Sequence, residues 1–169
     1  QGMTNFMKEL KPDCLEDIIA GVSLYRPGPM DQIPRYIANK KDPEHAVYTH
    51  PALKPILEVT YGCMVYQEQV MQIVRDLAGY SLGRADLVRR AMGKKKLDVM
   101  AKEREIFIHG QTDENGNIVV PGCIRNGIDE QSANKIFDEM AEFAKYAFNK
   151  SHAAAYAVVS YRTAYLKAY

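Results

Sequence analysis

Val70, Ile73, Val74 and Leu77 recur at i, i+3, i+4 and i+7, the spacing that gathers apolar side chains into one stripe on a helix. Gly79 closes that helix. Ala133, Ile136, Phe137, Met140 and Ala144 repeat the pattern later in the chain. Between them, Ser81 to Met92 predicts a helix, capped by Ser81 or started a few residues later, with Gly93 at its end. Leu97 to Ile108 predicts another, with Leu97, Met100, Ala101 and Ile108 toward the core. A long final helix is expected over Ala153 to Tyr169, after "FNKSH". In the first half, Pro12 suits a first helical turn and Gly21 a helix exit. "LYRPGPMDQIP" is a breaker-rich turn, followed by short helices around Met30 to Asn39 and Ala52 to Glu58. "TYGCMVY", Thr60 to Tyr66, is the one strand candidate there, or else a buried lead into a helix. "HGQTDENGNIVVPGCIRNG" is rich in turn residues around a brief apolar run, Ile118 to Val120. The pattern predicts a mainly α fold with a small irregular or β-hairpin insertion, an exposed loop, near 110–127.

Composition narrows this only a little. The 169 residues suit one domain, and 47% hydrophobic with 25% charged is an ordinary globular balance. No apolar run approaches the ~20 residues of a membrane span, and the N-terminal stretch has no signal core. Cys14, Cys63 and Cys123 lie far apart, which argues against a disulfide framework or zinc site and for a reducing cytoplasm. "YRTAYLKAY" stops inside a helical pattern without a cap, and Gln1 is not an initiator methionine, so a piece of a longer chain is expected.

Charge changes the picture more. The total is only +1. Yet from Arg84 to Lys96 stand Arg84, Arg89, Arg90, Lys94, Lys95 and Lys96 against a single acid, Asp86, a local balance of +5. Cations near a helix C-terminus are favourable, which accounts for part of this cluster. Adjacent arginines diverge by ~100° on a helix, so one is free to pair locally while the other reaches outward. From Phe143 to Tyr169 there is no acid at all, while Lys145, Lys150, His152, Arg162 and Lys167 occur. A near-neutral total thus conceals a candidate positive face for a phosphate-bearing partner. In "NKSHAAAY", Asn149 or Ser151 can cap the last helix and leave backbone N–H groups for an anion, with Lys150, His152 and Tyr156 beside them. A capped, tightly packed helix with a satisfied histidine fits the same eight residues.

Several chemistries are missing from the sequence. There is no P-loop or dinucleotide fingerprint, no histidine pair at zinc spacing, and no pair of carboxylates placed for metal-assisted phosphoryl transfer. Ser151 beside His152 is not a triad, because neighbours on a helix point apart. No catalytic and no metal-ligating residue is assigned.

"LYRPGPM", "YGCMVYQEQVMQIVRDLAGYSLGRADLVRRAMGKKK" and "FAKYAFNKSHAAAYAVVSYRTAYLKAY" together resemble the fingers region of the bacterial replicative DNA polymerase III alpha subunits, the C-family polymerases. The match runs nearly end to end. The resemblance implies a single fingers domain over 1–169 of a longer, cytoplasmic DNA-directed DNA polymerase, a nucleotidyltransferase. Its partners would be incoming deoxynucleoside triphosphate, template-primer DNA, the palm and other domains of the same chain, and replisome subunits through regions not present. The catalytic aspartates and Mg2+ would belong to the palm, so this stretch is expected to be inactive alone. Arg89, Arg90, Lys150 and His152 match positions implied to meet the nucleotide phosphates. Lys94, Lys95, Lys96 and Arg84 would meet triphosphate or DNA backbone, with Arg26, Tyr66, Gln67 and Tyr156 supporting. Without the resemblance, a non-enzymatic helical module that binds nucleic-acid backbone is the alternative, and a protein–protein module a third reading.

Overall fold

The computed structural model describes residues 1–94 and 97–169; Lys95 and Lys96, two lysines of the basic run, lie outside the described residues. Along these the chain forms α1 (Gly2–Leu10), α2 (Leu15–Leu24), α3 (Ile33–Lys41), α4 (Lys54–Leu57), α5 (Gln67–Ala78), α6 (Leu82–Gly93) and α7 (Leu97–His109). A hairpin of β1 (Gln111–Thr112) and β2 (Ile118–Val120) follows, then α8 (Glu130–Phe143) and α9 (Lys150–Ala168). The mainly α class with a small hairpin is thus the observed architecture. Among the described residues no helix is long and apolar enough to cross a membrane.

The helices form where side chains satisfy their ends and bury one stripe. Ser81 Oγ accepts the Arg84 N–H at 3.3 Å, and Asp129 accepts the Ser132 N–H at 2.8 Å. Gly79, at φ 81°, closes α5 in the left-handed conformation. Val70, Ile73, Val74 and Leu77 are all buried, as are Ala133, Ile136, Phe137 and Met140. Full burial of each large apolar side chain contributes about 1.5–3 kcal/mol.

Two buried clusters result. One joins α1, α2, α3 and α9 through Phe6, Leu10, Ile19, Ala20, Leu24, Tyr36, Ala153 and Ala157. The other joins α4 to α8 around Ile73, Met92, Phe107, Ile136 and Phe137. The segment Cys63–Tyr66 runs between them, Cys63 and Val65 buried in the first and Met64 packed on the second.

Four expectations need correction. Thr60–Tyr66 is not a strand: it alternates between two cores, so both faces are covered without a ladder, and Tyr66 makes only an isolated bridge to Phe148. It is the buried lead into α5. Pro12 precedes α2 rather than opening it, and Gly21 lies inside α2, where a Cβ would sit 2.9 Å from Met7 Cε of α1; close approach, not helix exit, requires that glycine. The core face of α7 is Ile106, Phe107 and Ile108, whereas Leu97 is 77% exposed and Ala101 exposed, because the first turns of α7 have no core to meet. The 110–127 insertion is a hairpin whose tip is exposed, with Asp113 Oδ1 accepting the Asn115 and Asn117 N–H groups, but its return is not exposed throughout: Val120 and Cys123 are buried in the second core.

Candidate phosphate-binding site

The short Gly79–Ser81 connection folds α6 back on α5, so the basic end of α6 returns toward the end of α5 where Gln67 begins. A Cβ on Gly93 would lie 3.4 Å from the Ala144 carbonyl, which places the exit of α6 beside the segment leading into α9. That segment is tied to the same end of α5: the Gln67 N–H donates to the Phe148 carbonyl at 2.9 Å. The exit of α6, beyond Arg89 and Arg90, and the entry of α9, at Lys150, are thus both linked to the segment 144–148.

Both arginines are drawn onto one carboxylate. Arg89 Nη2 and Nε lie 2.7 and 3.2 Å from Asp86 Oδ1, and Arg90 Nε lies 2.8 Å from Oδ2. The Arg89 hydrogen bonds, and the second cation beside them, hold the Asp86 carboxyl below its ordinary value. The Arg90 side chain is 63% exposed and that of Arg89 21%. Lys94 is exposed at the C-cap of α6.

Lys150 opens α9. Its ammonium lies 3.0 Å from Glu16 Oε2 of α2 and 5.3 Å from the centre of the Tyr66 ring. The N-terminus of α9 is not left open for an anion as the sequence suggested. Asn149 Oδ1 accepts the His152 N–H at 2.9 Å, and Glu68 of α5 accepts both the Lys150 N–H, at 3.2 Å, and the Asn149 side-chain amide, at 3.0 Å. A carboxylate from a neighbouring helix thus sits at the positive end of the dipole. His152 is exposed, its ring edge-on to Tyr156 at 4.9 Å and tilted against Phe148 at 5.6 Å. Tyr156 is exposed as well.

Other named residues make contacts within the fold. Arg84 donates to Gln111 at 2.6 Å, pairs with Glu103 at 3.2 Å and packs over Tyr80, so its cation is engaged within α6, α7 and β1. Arg26 donates to the Ser23 and Tyr146 carbonyls, at 2.9 and 2.7 Å, and lies 4.2 Å over the Phe148 ring; burial lowers its pKa. Tyr66 is buried, its hydroxyl without a partner among the described residues, and burial pushes its pKa up. Gln69, two residues beyond Gln67, is the buried amide that orders this turn: its Oε1 accepts the Val65 and Tyr66 N–H groups at 2.8 and 3.0 Å, and its Nε2 donates to Thr60 Oγ1 at 2.8 Å.

Asp86, Glu16 and Glu68 were assigned no site role from the sequence. Asp86 was findable, since it stands three and four residues before the two arginines. Glu16 and Lys150 are too far apart in sequence for any local rule. Among the described residues, Asp13, Cys14 and Asp17 bring ligand atoms within 4.8 Å, but Lys40 Nζ already lies 3.0 and 3.1 Å from the two carboxylates, so the cluster is an ion-pair network and does not fit a divalent metal.

Residues 1–115 match the family of the bacterial DNA polymerase III alpha subunit finger domain. The chain is similar to the DNA polymerase III subunit alpha of Chlamydia trachomatis, 53% identical over 171 residues, covering 99% of this chain. It is likewise similar to those of Xylella fastidiosa, 54% over 166 residues and 98% of the chain, and Thermus aquaticus, 52% over 173 residues and 99%. The chain spans 13% of the length of each of these relatives. The family model covers more than half of the chain, and the relatives align with nearly all of it: the chain belongs to the finger domain of bacterial DNA polymerase III alpha subunits.

Proposed function

We propose that this chain holds the triphosphate of an incoming deoxynucleotide and the backbone of template-primer DNA for a replicative polymerase. The supporting observation is that the exit of α6, the helix of the Arg89–Arg90 pair, lies beside Ala144, in the stretch of chain that leads to Lys150 and His152 of α9. In templated nucleotidyl transfer the primer 3′-hydroxyl attacks the α-phosphorus and pyrophosphate departs, so negative charge grows on the β- and γ-phosphates. Guanidinium groups suit that charge, since they bind phosphate bidentately and never deprotonate. Among the described residues Arg90 is engaged through Nε alone, which offers its Nη groups to a phosphate. Lys150 lends a point charge once Glu16 yields, and the exposed rings of His152 and Tyr156 offer faces for a base. Lys94, Lys95 and Lys96 meet nucleic-acid backbone. Mg2+ is held by palm carboxylates outside this chain, which is therefore inactive alone; the palm, other domains of the chain and replisome subunits complete the cytoplasmic enzyme.

The test replaces Arg89 and Arg90 by alanine in the full-length polymerase and measures incorporation against deoxynucleotide concentration. Losing two charge-assisted contacts, each worth about 1.5–3 kcal/mol, lowers kcat/KM by at least about a hundredfold. An unchanged kcat/KM refutes the assignment. Parallel titration of primer-template at two salt concentrations separates it from the backbone binder, which loses DNA affinity steeply with salt and ignores free nucleotide.

A further inference from the structure

Arg89 and Arg90 are sequence neighbours on a helix, so their side chains leave the axis ~100° apart. Unassisted, they would not present a common surface. Asp86 stands one turn earlier, between them, and gives one oxygen to each: Oδ1 to Arg89 at 2.7 Å and Oδ2 to Arg90 at 2.8 Å. We infer that Asp86 is a positioning residue that gathers Arg89 and Arg90 into a single two-guanidinium fork for the nucleotide's phosphates. The inference rests on the phosphate-binding reading of the two arginines given above.

The geometry allows Asp86 to stay in place while the fork works. An arginine carries five N–H donors. Among the described residues Arg89 directs Nε and one N–H of Nη2 to Asp86, and Arg90 its Nε alone, so three donors remain on Arg89 and four on Arg90. The trio keeps a net charge of +1, one acid against two bases. Asp86 is half-buried, its side chain 28% exposed, beside the buried Ala85 and Val88 that anchor α6, so the carboxylate is fixed by the helix itself. It also lowers the mutual repulsion that would drive two bare guanidinium groups apart.

Electrostatic attraction alone and positioning predict opposite signs. Removing the Asp86 charge raises the trio from +1 to +2, which by attraction alone would tighten triphosphate binding and lower KM. If Asp86 orders the fork, its loss leaves two rotamer-rich side chains to be ordered at binding, which weakens nucleotide affinity by about fivefold.

The experiment measures KM and kcat for deoxynucleotide in the full-length polymerase carrying Asp86→Asn, Asp86→Glu or Arg90→Ala. Expected are an Asp86→Asn KM raised about fivefold with kcat changed less than about twofold, recovery in Asp86→Glu, whose carboxylate again reaches Arg90 at i+4, and a raised KM in Arg90→Ala. A raised KM in Arg90→Ala with an unchanged or lowered KM in Asp86→Asn overturns the positioning role and leaves the phosphate reading standing. Failure of Asp86→Glu to recover KM also overturns it. An Arg90→Ala enzyme with wild-type KM overturns the phosphate reading, and the fork with it.

Discussion

Gly28→Ala is the most informative single change to the scaffold. Gly28 sits in the "RPGP" turn at φ 100° and ψ −72°, a conformation that a residue with a Cβ adopts only under strain of about 1–3 kcal/mol. A Cβ there would also lie 2.5 Å from two ring carbons of Tyr146 and 2.9 Å from a third. A flat ring cannot bend away as a methionine tip can, so Tyr146 must shift as a whole, an overpacking cost of about 1–3 kcal/mol. The two effects together destabilise the chain by about 3 kcal/mol. For a chain of this length that lowers the melting temperature by about 10 °C. The displacement matters beyond stability, because the Tyr146 carbonyl receives Arg26 and the next residues lead through Phe148 to Lys150. Calorimetry or circular dichroism on Gly28→Ala, Tyr146→Ala and the double variant resolves the two costs. Removing the ring, which is already partly exposed, relieves the clash but not the backbone strain, so the double variant is less destabilised than the sum by about 1–2 kcal/mol. A Gly28→Ala chain that melts within about 2 °C of the parent, or strictly additive costs, refutes this account of the turn.

Gln69→Leu leaves the Val65 and Tyr66 N–H groups buried without an acceptor and is expected to cost about 2–4 kcal/mol, read from urea unfolding at unchanged m-value. A thiol reagent should modify Cys14 in the native chain and spare Cys63 and Cys123, whose burial pushes their thiols up to about 11 and about 12; all three should react in urea. Acid titration should show stability held by Asp129 and Asp86, whose carboxyls are depressed by the Ser132 N–H and the Arg89 guanidinium respectively. That contribution is present above the ordinary aspartate value of 3.8 and fades as pH falls through the lower folded values, and Asp129→Asn should flatten the slope there.

Helices α5, α6 and α8 were legible because their apolar stripes and caps are local, and Gly79, Ser81 and Val70 act through neighbours three or four residues away. Leu97 shows the limit. It keeps helical spacing with Met100 and Ala101 yet is exposed among the described residues, and only tertiary packing decides that. Cys63, Met64 and Val65 alternate as a strand would, yet serve two cores at once, which no single-chain pattern distinguishes from one buried face and one ladder. At the site, the cations were visible as unbalanced charge, and of their carboxylates Asp86 alone stood at a local spacing. Glu16 reaches Lys150, and Glu68 reaches the α9 N-terminus, across turns that only the folded chain brings together.

The most direct measurement is a structure of the full-length polymerase with primer-template and a bound, non-reacting deoxynucleoside triphosphate. The account predicts β- or γ-phosphate oxygens at about 2.7–2.9 Å from Nη groups of Arg89 and Arg90, with Asp86 still bridging their Nε atoms and Lys150 turned from Glu16 toward the same phosphates. A triphosphate seated away from the end of α6, with Lys150 still paired to Glu16 and both arginines touching only Asp86, would contradict it.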